Sequence, residues 1–154
     1  MLTIGIEIAA RCLLLALFLP FSALDKMINF SAAVAQAQRT VAGRPVATLL
    51  ILAGFCVEVV MSAAILTGVC DRLAAFILAG YCAVTALLWK RFWQAPDFKL
   101  RGPSRGRDTF WDFLKNLSVA GGFLLLALGS NAAGVQSFFD HPLASSRPYD
   151  ATAE

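Results

Sequence analysis

The sequence predicts an all-α integral membrane protein, an antiparallel four-helix bundle, and three observations lead there. Mean hydropathy is +0.69 and 58% of the 154 residues are hydrophobic, too apolar for an ordinary soluble domain of this size. Four apolar runs, at about 3–24, 46–69, 73–89 and 110–130, are each long enough to cross a bilayer as a helix. The Lys and Arg residues are also segregated. Nine lie in the two long connections, and outside the spans only Arg72 and Arg147 belong to the opposite side. The basic excess marks the cytoplasmic face of a bacterial inner membrane, so both termini are expected outside, in the periplasm. Trp89, Trp93 and Trp111 fall at the same cytoplasmic boundary, as an interfacial aromatic belt does.

The first run holds Glu7 and Arg11, four apart and therefore on one helix face, and Pro20 is expected to kink it or mark its last turns. Ala35-Gln36-Ala37 resembles a signal-peptide cleavage site. The acidic N-terminal region and the polar residues between run and site argue for a retained first span. Residues 25–45 read as a loop with a short helix near 32–39, closed by the turn Gly43-Arg44-Pro45. The second span exits through Gly68-Val69-Cys70-Asp71-Arg72 straight into the third, which makes the two antiparallel neighbours. Residues 90–108 hold Pro96, Gly102, Pro103 and Gly106 and form the longest polar connection. The fourth span contains Gly121-Gly122, a site for close helix approach. One four-span domain over 1–130 is thus followed by a polar tail over 131–154, with Phe138-Phe139 expected at the interface.

Glu58 is the residue that most needs explaining. Residues 46–69 span about 36 Å as a helix, against a hydrocarbon core of about 30 Å, and Glu58 sits near the middle. A carboxylate there costs on the order of 3 kcal/mol and calls for a partner inside the bundle. Counting depths from the helix ends nominates Arg11, about 5 Å away along the membrane normal, or Lys115 reaching in from the fourth span. Asn116 adds an amide beside Lys115, and Glu7 is expected to neutralise Arg11. Lys26 lies at a cytoplasmic helix end, where it meets the positive-inside rule or contacts an anionic headgroup or ligand. The set Arg11, Lys26, Glu58, Lys115 and Asn116 is either a binding site or a polar network that fixes helix packing.

Other chemistries find little support. Cys12, Cys56, Cys70 and Cys82 lack CxxC spacing and read as small apolar packing residues. His141 is the only histidine, which argues against bis-histidine haem and a His-rich metal site. No basic patch interleaved with aromatics suggests nucleic acid.

In this order, the motifs resemble the DoxX family of small four-helix membrane proteins over roughly residues 10–128. The pieces are Ala10-Arg11-Cys12-Leu13-Leu14, then Ser22-Ala23-Leu24-Asp25-Lys26-Met27, then Val57-Glu58-Val59-Val60-Met61-Ser62 through Gly68 and Arg72. Leu114-Lys115-Asn116-Leu117 and Gly121-Gly122-Phe123 complete the set. Ala23 and Ser62 stand where the family pattern has glycine, and Asp25 beside Lys26 is unusual. The resemblance implies a membrane subunit linked to respiratory or sulfur-compound oxidation, delivering electrons to quinone, or a member of a redox-stress complex with soluble partners.

Three functions follow as expectations. The first is a subunit of an oxidoreductase assembly with a quinone site at the Arg11, Glu58, Lys115 cluster, where Glu58 relays protons. With no haem, flavin or iron–sulfur signature of its own, the chain is then not a complete enzyme and needs a soluble redox partner or a larger membrane complex. The second is an accessory scaffold embedded in lipid that stabilises such a complex. The third is a small transporter, for which four spans are few and no inverted repeat is evident.

Overall fold

A computed structural model describes residues 2–150, and every regular element among them is helical. The α-helices are α1 Leu2–Leu15, α2 Ala23–Ile28, α3 Phe30–Ala37, α4 Arg44–Thr67, α5 Asp71–Trp89, α6 Arg105–Leu128 and α7 Ala132–Asp140, with short irregular helical turns at Leu17–Ser22 and Phe92–Gln94. Four stretches are long and apolar enough to cross a membrane: Leu2–Ile28, Arg44–Thr67, Asp71–Gln94 and Arg105–Leu128. The protein is a multi-pass membrane helical bundle. Its α5 lies between α4 and α6, and α1 packs on α4 and α6.

The first span is not one helix. Pro20 has no N–H to give and its ring disfavours helical geometry in the residue before it. Leu19 accordingly leaves the helix at φ −124°, ψ 105°, and the chain winds again through Ser22 into α2. The break turns Ser22 and Lys26 inward, which positions the site below. The short helix expected near 32–39 is α3, and its buried Val34 and Ala37 pack on Ala47 of α4.

Helix α4 starts after Gly43 (φ 91°), has Pro45 in its first turn, and ends at Gly68 in the left-handed region. It buries one narrow stripe, Ala47, Gly54, Glu58, Ser62 and Ile65, and turns Leu49, Leu52 and Val60 outward. An outward apolar face is what lipid requires, since lipid tails solvate leucine as well as a core does. Helix α5 buries the most residues, among them Ala74, Ala75, Leu78, Ala79 and Cys82, and its alanines let α4 and α6 approach. Phe123 of α6 fills the centre, packed on Phe18 at 5.6 Å between ring centroids. Of the two glycines expected at the contact, Gly122 faces Leu14 of α1, whereas Gly121 faces open space.

The connection 90–104 folds back on the start of α6. Asp97 accepts from the N–H groups of Arg105 (2.8 Å) and Gly106 (3.1 Å), and Ser104 caps Arg107 at 3.1 Å. A Cβ at Gly106 would stand 2.7 Å from the Phe98 Cα, so only glycine fits there. Phe92 gathers Trp93, Phe98, Phe110 and Phe113 around it.

The polar tail of the sequence reading is folded. Asn131 caps α7, Phe138 is buried against Phe76, and only Phe139 is exposed. Arg72 ties α7 to the end of α6, donating to Ala127 O of α6 (2.8 Å) and Gly134 O of α7 (2.7 Å). Residues 141–150 then return over the turn between α4 and α5.

Phe123→Ala removes the central ring. Because lipid-exposed chain is already solvated by apolar tails, the loss is mainly packing, about 3 kcal/mol, the low end for a buried Phe. Thermal unfolding in detergent is expected to fall markedly, while Leu13→Ala on the lipid face leaves it nearly unchanged.

Candidate functional site

Glu58 is 2% exposed, and three polar groups make four hydrogen bonds to it. Lys26 Nζ donates to Oε1 and Oε2, both at 2.8 Å. Tyr81 of α5 donates its hydroxyl to Oε1 at 2.8 Å, and Ser22 donates at 3.1 Å while accepting from Lys26 at 2.7 Å. A carboxylate with this many donors, one of them charged, is well compensated for its burial. Gly54, one turn before Glu58, makes room: a Cβ there would stand 3.0 Å from the Tyr81 hydroxyl oxygen.

The cluster lines a cavity of about 510 Å³ between the break in the first span and helices α3 to α6. Its walls are apolar at Leu17, Phe18, Leu50, Ile51 and Val119, with amides at Gln36 and Asn116. Lys90, Asp112 and Lys115 also line it. Lys90 pairs with Asp112 at 3.1 Å, Lys115 approaches the same carboxylate at 3.4 Å, and Asn116 donates to the Asp112 carbonyl at 3.0 Å.

A second charged cluster lies at the other end of the buried face of α4. Arg11 donates to Ile65 O at 2.7 Å, to Asp71 Oδ2 at 2.8 Å and to Ser146 at 2.8 Å. Asp71 takes the Ser146 N–H at 2.8 Å and also its hydroxyl. Tyr149 donates to Leu66 O beside it. Glu7 stands 3.6 Å from the Arg11 Nε, one turn along α1, as its spacing predicts.

Of the five residues singled out from sequence, Lys26 and Glu58 pair directly, and Lys115 and Asn116 line the same cavity without touching them. Arg11 does not meet Glu58. Its carbonyl contact is at Ile65, seven residues or about 10 Å further along α4. Counting depth from helix ends fails because α1 begins well before the level of the α4–α5 turn, which shifts Arg11 towards that turn. Nor does Lys115 reach Glu58; its side chain is 74% exposed and held near Asp112. Ser22, Asp71, Tyr81 and Ser146 join these clusters without being among the residues the sequence singles out. Tyr81 carried a signal, a phenol within an apolar span, which must find a polar partner when buried. Asp71 looked like an ordinary acidic residue opening a helix.

The DoxX family model matches residues 7–91, more than half of the chain. The chain belongs to the DoxX family. The matched part of this DoxX protein contains both buried ion pairs, Arg11–Asp71 and Lys26–Glu58, together with Ser22 and Tyr81. The residues of α6 and α7 and the segment 141–150 lie beyond it. No curated protein and no solved structure matches the chain.

Lys26→Met leaves Glu58 without its cation, and breaking a buried pair from one side costs about 3–5 kcal/mol. The variant is expected to melt well below the parent in detergent. Adding Glu58→Gln is expected to restore most of the loss; an unchanged melting point in the single variant would show that the pair does not anchor the bundle.

Proposed function

We propose that this protein is the membrane subunit of an oxidoreductase assembly in a bacterial inner membrane, and that the cavity ending at Glu58 receives a quinone headgroup. The observation that supports the reading is the cavity itself, an apolar space of ligand size whose deep end holds a carboxylate, an ammonium and a phenol. The donor chemistry fits. Tyr81, Ser22 and Lys26 would hold a carbonyl oxygen at the deep end, the Asn116 amide would serve nearer Asp112, and Phe18 and Ile51 would flank a ring. A bound quinone supplies the two-electron acceptor.

The chain's own residues handle protons. As a carboxylate, Glu58 uses up the donors of Lys26, Ser22 and Tyr81. A proton arriving on Glu58 weakens those bonds and frees Lys26 and Tyr81 for a ligand carbonyl. Proton loading and carbonyl binding are thereby linked, as a relay requires. Lys90, Asp112 and Lys115 form the polar wall at the end of the cavity where protons would enter from the cytoplasm, given that the nine basic residues face that side. Both termini then lie outside. Electrons come from a partner protein carrying its own cofactor, since this chain offers protons and positioning.

A scaffold reading draws on a different feature. The first turns of α1 expose Leu2, Ile6 and Ile8, and none of the described residues lies within 4 Å of a Cβ placed on Gly5. That face can dock a larger membrane complex.

Glu58→Gln separates the two. The amide keeps the volume and accepts hydrogen bonds but carries no proton load and leaves Lys26 without its counter-ion. The variant is therefore expected to melt lower than the parent yet still assemble at low temperature, and there to lose partner-dependent quinone reduction by about 100-fold or more. Full reduction in an intact assembly would rule out the relay; loss of the assembled protein would place Glu58 in the scaffold.

A further inference from the structure

Residues 141–150 form a strap one chain thick across the α4–α5 turn. Their side of the contact is almost entirely polar. The Ser146 N–H and hydroxyl bind Asp71, the same hydroxyl accepts from Arg11, and Tyr149 donates to Leu66 O. Pro148 lies over Gly68, where a Cβ would stand 3.1 Å from its ring. Residues 141–147 are exposed on their outer side. Beneath this thin cover lie Arg11, 3% exposed, and Asp71, fully buried.

A cover held by hydrogen bonds to charges competes with water, which solvates a guanidinium and a carboxylate well. Few apolar contacts and a solvent-exposed backbone place such a segment among the parts of a fold that open first. Ser62 adds a second observation. It is fully buried, and its hydroxyl has no hydrogen-bond partner among the described residues. It is four residues from Glu58 and three from Ile65, whose carbonyl holds Arg11, so it lies on the same α4 face between the two charged clusters. An unsatisfied buried hydroxyl is a natural stopping point for a water.

We propose that the strap is a removable gate. Closed, it seals Arg11 and Asp71 and confines Glu58 to exchange with the cavity. Lifted, it admits water past Arg11 and Asp71 to Ser62 and so opens a second route to Glu58 from the strap end of the bundle. This inference stands on the strap, Ser62 and the two ion pairs, and it holds whatever ligand enters the cavity.

The test places a single reporter thiol at the stopping point: Ser62→Cys, with Cys12→Ser, Cys56→Ser, Cys70→Ser and Cys82→Ala. The purified protein in detergent is treated with a small charged methanethiosulfonate. The full chain is expected to react slowly, and the chain ended after Leu143 faster by about tenfold or more, the factor carried by one lost hydrogen bond to a charged group. If the shortened chain does not purify folded, Ser146→Ala with Tyr149→Phe in the full chain gives the same reading. Equal rates with the strap intact and with it removed or weakened, whether both fast or both slow, would overturn the gate.

Discussion

The ion pair between Lys26 and Glu58 is the interaction on which the arrangement depends. A carboxylate midway along α4 is intolerable in an apolar bundle unless a cation and donors are brought to it, and every nearby departure from a plain helix serves that need. The break at Leu19 redirects the chain so that Ser22 and Lys26 turn inward. Gly54 leaves space for the Tyr81 phenol, and the alanine face of α5 lets that helix come close enough to deliver it. The cavity is the space these adjustments leave between the broken first span and the rest of the bundle.

The same electrostatic rule explains the other end of α4. Arg11 and Asp71 are buried together, and the carbonyl of Ile65 and the hydroxyl of Ser146 add further hydrogen bonds to the pair. One narrow stripe of α4 thus meets two charge clusters, at Glu58 and at the Ile65 carbonyl, with Ser62 between them. Ser62 is buried there, and its hydroxyl has no hydrogen-bond partner among the described residues.

Hydropathy made the bundle legible, because span length and lipid-facing apolarity are properties of a segment alone. The need for a partner at Glu58 was legible too, since the cost of a buried charge is local. Which partner it takes was not. Arg11 and Lys26 are both cations of the first span, and the choice between them turns on where α1 stops and how far the chain swings at Leu19. Those are tertiary facts that a count of residues from a helix end does not contain. Asp71 and Ser146 were hidden for a related reason: they are 75 residues apart and meet only because the C-terminal segment folds back over the α4–α5 turn. Tyr81 could have been found, as the phenol in the third apolar run with an obligation to hydrogen-bond.

The central claim is that the cavity ending at Glu58 takes a quinone headgroup, and photolabelling with an azidoquinone, followed by peptide mapping, tests it most directly. The account predicts labels on the segments that line the cavity, around 17–37, 50–58 and 81–89, suppressed by excess unlabelled quinone. Labels confined to lipid-facing surfaces such as the first turns of α1, or labels that unlabelled quinone does not displace, would contradict it.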